Sequence, residues 1–202
     1  AELRLKQPPR RPVLVDEEGR ATPVQVVRQE ADGPWTKAQV AFVVRDLPSL
    51  GYRLYRLHAG GDQEAATGLR AGADALENQY LRVRFDATSG DIVGIEDKLT
   101  GRQVLSGPAN ALHLLAEDPQ FASAWIYWPT GEVQTDWPAA EVSVLERGPV
   151  RVTISARTWL RDSYVDRQVT LYDGVPGVFF RTFCHWYERD AALKVAFALA
   201  TD

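Results

Sequence analysis

Apolar and polar residues alternate along much of this 202-residue chain, the pattern of β-strands that are buried on one face. In residues 81–85, Leu81, Val83 and Phe85 share one face and two arginines take the other. Comparable runs, bounded by turns rich in Gly and Pro, occupy residues 22–28, 37–45, 52–58, 92–97, 150–158, 164–172, 177–187 and 193–200. The pattern therefore predicts an all-β protein built from antiparallel sheets packed face to face.

One hairpin stands out in this pattern. The strand-like run at 76–87 is followed by Thr-Ser-Gly-Asp at 88–91 and by a returning strand at 92–97. A four-residue connector containing Gly is typical of a hairpin. No convincing amphipathic helix competes with the strands, since the nearest candidate, residues 108–118, is short and begins with proline.

A stretch rich in Gly, Ala and charge, without periodicity, interrupts the strands near residue 60. It predicts a small β-sandwich domain at 1–59, a linker at 60–74 and a larger antiparallel sandwich at 75–202. No fixed-period repeat is visible, which argues against propellers and solenoids.

Composition narrows the class of protein. The net charge is −4 and the arginines are scattered, so neither a nucleic-acid partner nor a membrane surface is predicted. The one cysteine, Cys184, excludes an internal disulfide framework; it is expected to be a buried, inert thiol, and a cytoplasmic location follows. The absence of methionine, even at position 1, leads us to expect an internal piece of a longer protein.

Candidate catalytic chemistry is sparse. His58, His113 and His185 are far apart and have no second metal ligand at strand or helix spacing. Pairs of nearby carboxylates, which sugar hydrolysis requires, occur at Glu117–Asp118, Glu132–Asp136 and Glu188–Asp190. Solvated surface charge explains each pair without catalysis, and a rim salt bridge between Glu188 and Arg189 would explain the last.

Aromatic residues concentrate at 121–132, where Trp125, Tyr127 and Trp128 precede a Pro-Thr-Gly turn. Exposed rings at the mouth of a loop suit sugar recognition, because the C–H faces of pyranoses stack on them. The alternative is that Trp125 and Tyr127 lie on one strand face and fill the core.

Several short motifs occur in order along the chain: Leu76-Glu77-Asn78, Phe85-Asp86, Gly90, Asp97-Lys98, Gly101-Arg102, Trp186-x-Glu188-Arg189 and Leu193-Lys194-Val195-x-Phe197. Together they resemble one enzyme family, the family 38 glycoside hydrolases, which are retaining α-mannosidases. Residues 75–105 resemble the opening of the family's large C-terminal β domain, and residues 43–57 resemble the end of the small β domain before it. The resemblance implies a galactose-mutarotase-like supersandwich after the small sandwich, incomplete at its C-terminal end.

The resemblance also implies where the chemistry lies. In this family the nucleophile, the acid/base and the ligands of zinc or another divalent metal come mainly from an N-terminal catalytic domain, which a helical bundle follows. We therefore expect no catalytic or metal-binding residue in this chain, and a full-length enzyme that acts on α-mannosides. Trp125, with Tyr127 beside it, matches an aromatic that borders the sugar pocket in some members. Trp186 is expected to cover core while Glu188 and Arg189 pair.

Two other functions stay open. The chain could be a free-standing carbohydrate-binding module, which Trp125 and its neighbours would serve, or a mutarotase-like sugar epimerase with a His acid and a Glu base. As part of a mannosidase it is expected to contact its own catalytic and helical domains, and the family's tendency to associate suggests a homo-oligomer.

Overall fold

The structure is a computed structural model that describes residues 1–6, 12–59, 67–118 and 125–201. These ranges contain strands and turns but no helix, which confirms the all-β prediction. No segment in them forms a helix long and apolar enough to cross a membrane. The strands are β1 (Glu2–Leu5), β2 (Pro12–Asp16), β3 (Ala21–Pro23), β4 (Gln25–Asp32), β5 (Trp35–Ala41), β6 (Tyr55–Ala59), β7 (Arg70–Ala71), β8 (Ala75–Glu77), β9 (Leu81–Phe85), β10 (Ile92–Asp97), β11 (Arg102–Gln103), β12 (Leu105–Glu117), β13 (Pro129–Gln134), β14 (Glu141–Arg147), β15 (Arg151–Leu160), β16 (Ser163–Tyr172), β17 (Val178–His185) and β18 (Ala191–Leu199).

Two small sheets form the N-terminal part, with strand orders β1-β5-β4 and β3-β2-β6. An eight-stranded sheet follows, in which β13-β12-β10-β9-β8-β7 are neighbours, β11 pairs with β10, and β18 pairs with β12. A four-stranded sheet has the order β14-β15-β16-β17. The predicted boundaries at 59 and 75 stay predictions. Residues 60–66 of the predicted linker lie outside the described residues, and β7 within it pairs with β8.

The predicted hairpin is confirmed, since β9 and β10 pair antiparallel with Phe85 opposite Ile92. The backbone N–H groups of Ser89 and Thr88 donate to the Asp86 carboxylate and lower its pKa, so the turn keeps that charge. Residues 108–117, the weak helix candidate, lie in β12 instead. Asn110 there has a φ of 56°, at an irregularity in the pairing with β18.

The main core lies between the eight-stranded and four-stranded sheets. Leu76, Val83 and Ile92 project from the first sheet and meet Ile154 and Leu171 of the second. All five side chains are nearly or fully buried. A second cluster, Leu112, Leu160 and Val165, lies further along the same two sheets, with Trp137 and Leu193 against it. Period-two alternation therefore marks the buried faces of both sheets.

The Leu-Glu-Asn and Asp-Lys motifs that carried the resemblance lie together. Asn78 is fully buried, and its Nδ2 donates to the carbonyl oxygens of Tyr172 and Val175 at 3.0 and 2.9 Å. Its Oδ1 accepts from the backbone N–H of Leu81 at 2.8 Å, and Lys98 Nζ donates to the Asn78 carbonyl at 2.9 Å. A single asparagine thus joins the start of β9 to the end of β16, and a buried polar side chain needs such partners.

A buried arginine lies between the two core clusters. Arg167 on β16 is 2% exposed, and its Nη1 donates to Asp91 Oδ1 at 2.6 Å and to the Asn110 carbonyl at 2.5 Å. Its Nη2 donates to the Ser89 carbonyl at 2.6 Å and to Thr158 Oγ1 at 3.1 Å. The guanidinium therefore ties the 86–91 turn and the irregular point of β12 to the opposite sheet.

The expectation that Cys184 is buried is wrong. Cys184 is exposed on β17, which among the described strands pairs with β16 alone. Alternation along a strand does not show whether a second layer covers it, so the aromatic character of this segment was misleading. Desolvation still raises the pKa of the thiol, which keeps it protonated and weakly nucleophilic near neutral pH.

Gln25 of β4 connects the N-terminal sheets to the four-stranded sheet. Its Oε1 accepts from the backbone N–H groups of Val150 and Arg151 at 3.3 and 2.9 Å, and its Nε2 donates to Glu146 at 3.2 Å. Gln25 is 7% exposed, so these three bonds satisfy a buried amide. They join the start of β4 to the end of β14 and the start of β15.

Candidate functional site

Two aromatic-rich segments meet at one end of β12. Leu114 of β12 pairs with Gln134 of β13 on one edge and with Leu193 of β18 on the other. Near this end, the Glu117 backbone N–H donates to the Asp190 carbonyl at 2.8 Å, and that of Asp118 donates to the Trp128 carbonyl at 2.9 Å. Residues 125–128 and 186–190, which are separate features in the sequence, therefore flank the same strand end. We call this region the β12 end.

Trp125 and Tyr127, the predicted substrate-binding residues, both lie at the β12 end. Trp125 is 89% exposed, which rules out core filling by this ring within the described part of the chain. Tyr127 is 36% exposed, and the Lys194 ammonium lies over its ring at 5.3 Å from the centroid. Residues 121–124, the start of the aromatic stretch, lie outside the described residues. The role of both rings in substrate binding stays a prediction.

The segment after these rings is attached to β12. The predicted Pro-Thr-Gly turn is wrong, because residues 129–131 begin β13. Thr130 Oγ1 donates to the Ala116 carbonyl at 3.4 Å and accepts from the Glu132 backbone N–H at 3.2 Å. Gly131 has a φ of 94°, a conformation that glycine adopts without a steric penalty. These contacts fix the point at which the aromatic segment leaves the sheet.

Glu188 has different partners from those predicted. Ser163 Oγ donates to Glu188 Oε1 at 2.8 Å, and Arg161 Nη1 lies 3.5 Å from Oε2. The Glu188 side chain is only 7% exposed. Its partner is Arg161, in the turn between β15 and β16, and not the adjacent Arg189. The predicted Glu188–Arg189 pair is therefore wrong. Trp186 is half-buried.

A cavity of about 260 Å³ lies at the β12 end, between β13 and the start of β18. Its charged lining consists of Glu132, Arg161, Arg189 and Asp190, two acids and two bases. Just outside this lining, Glu117 Oε1 is buried and has no hydrogen-bond partner among the described residues. A neutral cavity with donors and acceptors on both sides is suited to binding hydroxyl groups.

The three histidines do not converge. His58 lies on β6, His113 on β12 and His185 on β17, which belong to three different sheets. His185 stacks on Tyr164 at 5.1 Å between ring centroids and meets Tyr187 edge-on at 4.7 Å. Among the residues that the structure describes, no three His, Cys, Asp or Glu side chains are grouped to hold a metal ion. The described residues therefore do not fit a zinc site.

Residues 76–202 match the family described as glycosyl hydrolases family 38 C-terminal domain. The chain belongs to this family. No curated protein matches the chain. Among solved structures, a family 38 glycosyl hydrolase from Enterococcus faecalis is similar, with a TM-score of 0.70 and 17% identity over 98% of this chain and 30% of its own. An α-mannosidase from Enterococcus faecalis V583 is also similar, with a TM-score of 0.68 and 17% identity over 98% of this chain and 29% of its own.

The match confirms the predicted resemblance to family 38. At 17% identity the two solved structures show a shared fold, and the chain spans less than a third of their length. Within this family 38 domain, sequence reasoning missed Arg161 as the partner of Glu188 and Lys194 as a neighbour of Tyr127. Lys194 alternates on its strand like any solvent-facing lysine, so no local signal distinguishes it. Only the pairing of β12 with β18 brings it near Tyr127.

Proposed function

We propose that this chain is the β portion of an α-mannosidase-like glycoside hydrolase that acts on α-mannosides. The family 38 match over residues 76–202 is the observation that carries the proposal. In the proposed enzyme, the chain supports a catalytic domain and borders the sugar pocket through the β12 end. The reactive groups, with zinc or another divalent metal, come from the N-terminal catalytic domain, which a helical bundle connects to this portion. The proposal also places the enzyme in the cytoplasm, as a homo-oligomer.

The exposed rings support the placement of the sugar pocket. An indole that is 89% exposed in the described chain has almost its whole apolar face available for a ligand or a neighbouring domain. A pyranose ring can stack on that face through its C–H groups. The Lys194 ammonium over Tyr127 and the neutral cavity nearby supply donors and acceptors for sugar hydroxyls.

The isolated 202-residue chain is expected not to hydrolyse an aryl α-mannoside, with or without added zinc. The reason is that its described residues bring together no metal ligands, and its histidines lie on separate sheets. Release of the aryl group, followed spectrophotometrically, measures this. The complete enzyme with the same substrate and zinc is the positive control. Hydrolysis by the chain that a chelator abolishes would contradict the proposal.

Trp125→Ala in the complete enzyme is expected to raise KM or lower kcat for an α-mannoside by about fivefold, the value of one aromatic stacking contact. The same change in the isolated chain should leave its urea midpoint nearly unchanged, since the ring is exposed. Tyr52→Ala is the matched control, because Tyr52 is 81% exposed and lies in a connector outside the β12 end. Unchanged kinetics together with a lowered urea midpoint would assign Trp125 to packing.

The epimerase alternative gains no support, because His185 contacts the rings of Tyr164 and Tyr187 while Glu188 pairs with Ser163 and Arg161, so these two residues do not form the required acid and base pair. The carbohydrate-binding module remains the second candidate, on the strength of the exposed Trp125 and Tyr127. The upstream part of the same reading frame distinguishes the two candidates: a preceding catalytic domain with a His-x-Asp motif would support the mannosidase, and a start codon near residue 1 would support the free-standing module.

A further inference from the structure

A groove of about 690 Å³ separates the N-terminal sheets from the four-stranded sheet. One wall is the stretch 39–42 at the end of β5, and the floor is the face of β15, β16 and β17 that points away from the main core. The volume lies within the range of about 300–1,000 Å³ that is common for small-molecule sites. It shares no lining residue with the cavity at the β12 end.

The floor of the groove is polar although it lies on a sheet. Thr153 on β15 and Thr170 on β16 face each other, with their hydroxyl oxygens 2.9 Å apart. Gln168 lies on the same face and also lines the groove. Each hydroxyl has one proton and two lone pairs, so the threonine pair retains hydrogen-bonding capacity after its mutual bond. The amide adds a donor group and an acceptor.

Most charged groups of the groove lining have partners, including the Ala1 amino group, which donates to the Val40 carbonyl at 2.7 Å. Arg151 forms a two-point pair with Glu146, with Nε–Oε2 and Nη2–Oε1 distances of 2.5 and 2.7 Å. Its Nη1 also donates to the Tyr172 hydroxyl at 3.3 Å. Among the remaining charged side chains of the lining, Arg181 is the single cation in excess, and it lies over the Phe183 ring at 4.4 Å. A neutral ligand with many hydroxyls suits this lining better than a strongly charged one.

An aromatic ring stands at the edge of this polar floor. Phe179 lines the groove and is 46% exposed. Tyr172 contacts it edge-on, with 5.0 Å between the ring centroids and an interplanar angle of 80°. This contact fixes the orientation of Phe179 and leaves part of its surface open to the groove. A polar floor beside a supported aromatic ring matches the two chemical faces of a sugar: its hydroxyl edge and its C–H face.

We propose that this groove binds a neutral oligosaccharide. Phe179 stacks on one sugar ring, and Gln168 and Thr170 hydrogen-bond to its hydroxyls, while the buried Thr153 hydroxyl positions that of Thr170. The groove would be a second carbohydrate contact of the chain, built from strands other than those at the β12 end. It does not depend on the mannosidase proposal, because binding is a property of the 202-residue chain itself.

The test is a titration of the full 202-residue chain with mannotriose, followed by NMR chemical shifts of backbone amides. Saturable shifts are expected at residues of the groove floor. Phe179→Ala should weaken binding about fivefold, the loss of one aromatic contact. Thr170→Val, which keeps the side-chain volume and removes one hydroxyl, should weaken it by a similar factor.

Phe183→Ala is the matched control for the aromatic contact. Phe183 lies on the same face of β17 and is 45% exposed, close to the value for Phe179, but it does not line the groove. Phe183→Ala should bind mannotriose like the unmodified chain, and so should Tyr52→Ala, whose ring is 81% exposed and lines neither the groove nor the cavity at the β12 end. The proposal is overturned if the groove amides do not shift at millimolar mannotriose. Equal weakening by Phe179→Ala and Phe183→Ala would also overturn it.

Discussion

Arg167→Leu is expected to lower the free energy of unfolding by about 3–5 kcal/mol, the usual loss when one partner of a buried ion pair is removed. The side chain is 2% exposed, and its four described hydrogen bonds all end on groups of the fold. Leucine would leave Asp91, itself 22% exposed, without its guanidinium partner. It would also leave the Ser89 and Asn110 carbonyls without donors. Urea unfolding of the full chain, followed by tryptophan fluorescence, measures the change.

Arg82→Leu provides the matched control. Arg82 is also a strand arginine paired with an acid, with Nε 3.2 Å from Glu77 Oε1, but its side chain is 49% exposed. Water can therefore replace its partner, and the expected loss is below about 1 kcal/mol. If both leucine variants lost the same free energy of unfolding, the buried hydrogen bonds of Arg167 would stabilise the fold no more than an exposed ion pair does. Arg167→Lys should recover only part of the loss, because an ammonium cannot reproduce the planar geometry of the guanidinium.

Gly90→Ala is expected to cost about 2–5 kcal/mol, from a left-handed backbone and an overpacked contact together. Gly90 has a φ of 71°, and an added Cβ would lie 2.3 Å from the Ala156 Cβ on the facing sheet. That distance is far below van der Waals contact, so the 86–91 turn and β15 would have to separate. Arg167 Nη2 lies 3.5 Å from the same position, so this separation would also strain the buried network.

Gly101→Ala distinguishes the steric cost from the conformational one. Gly101 has a φ of 73°, nearly the same as that of Gly90, and an added Cβ there meets no atom within 4 Å. Gly101→Ala should therefore lower the free energy of unfolding by only the cost of the left-handed backbone, about 1–2 kcal/mol. Equal urea midpoints for the two alanine variants would show that the turn does not press against β15.

The local features of this fold could be predicted from the sequence. The alternation of Leu81, Val83 and Phe85 identified a strand with one buried face, and the two core residues Val83 and Phe85 lie where it placed them. The Gly-containing connector at 88–91 identified the hairpin, because a tight turn has few residue patterns that permit it. The family motifs, Asn78 among them, were recognisable because each occupies a short stretch of chain.

The candidate site was only half predictable. Trp125 and Tyr127 could be named from their clustering, but their relation to residues 186–190 could not. The two segments are about sixty residues apart and meet only because β12 pairs with β13 on one edge and with β18 on the other. The prediction that Glu188 pairs with Arg189 failed for the same reason, since its partner Arg161 arrives from a different turn.

By itself, the sequence determined the all-β class, the positions of most strands, the turn of the hairpin and membership of family 38, because period, turn chemistry and motif spacing are properties of neighbouring residues. Tertiary structure alone decided that Arg167 is buried, that Cys184 is exposed and that two aromatic segments share one strand end. Those outcomes depend on which strands become neighbours and which edge stays uncovered. Alternation reports that a strand has two faces, but what covers each face is set by residues far away in the chain.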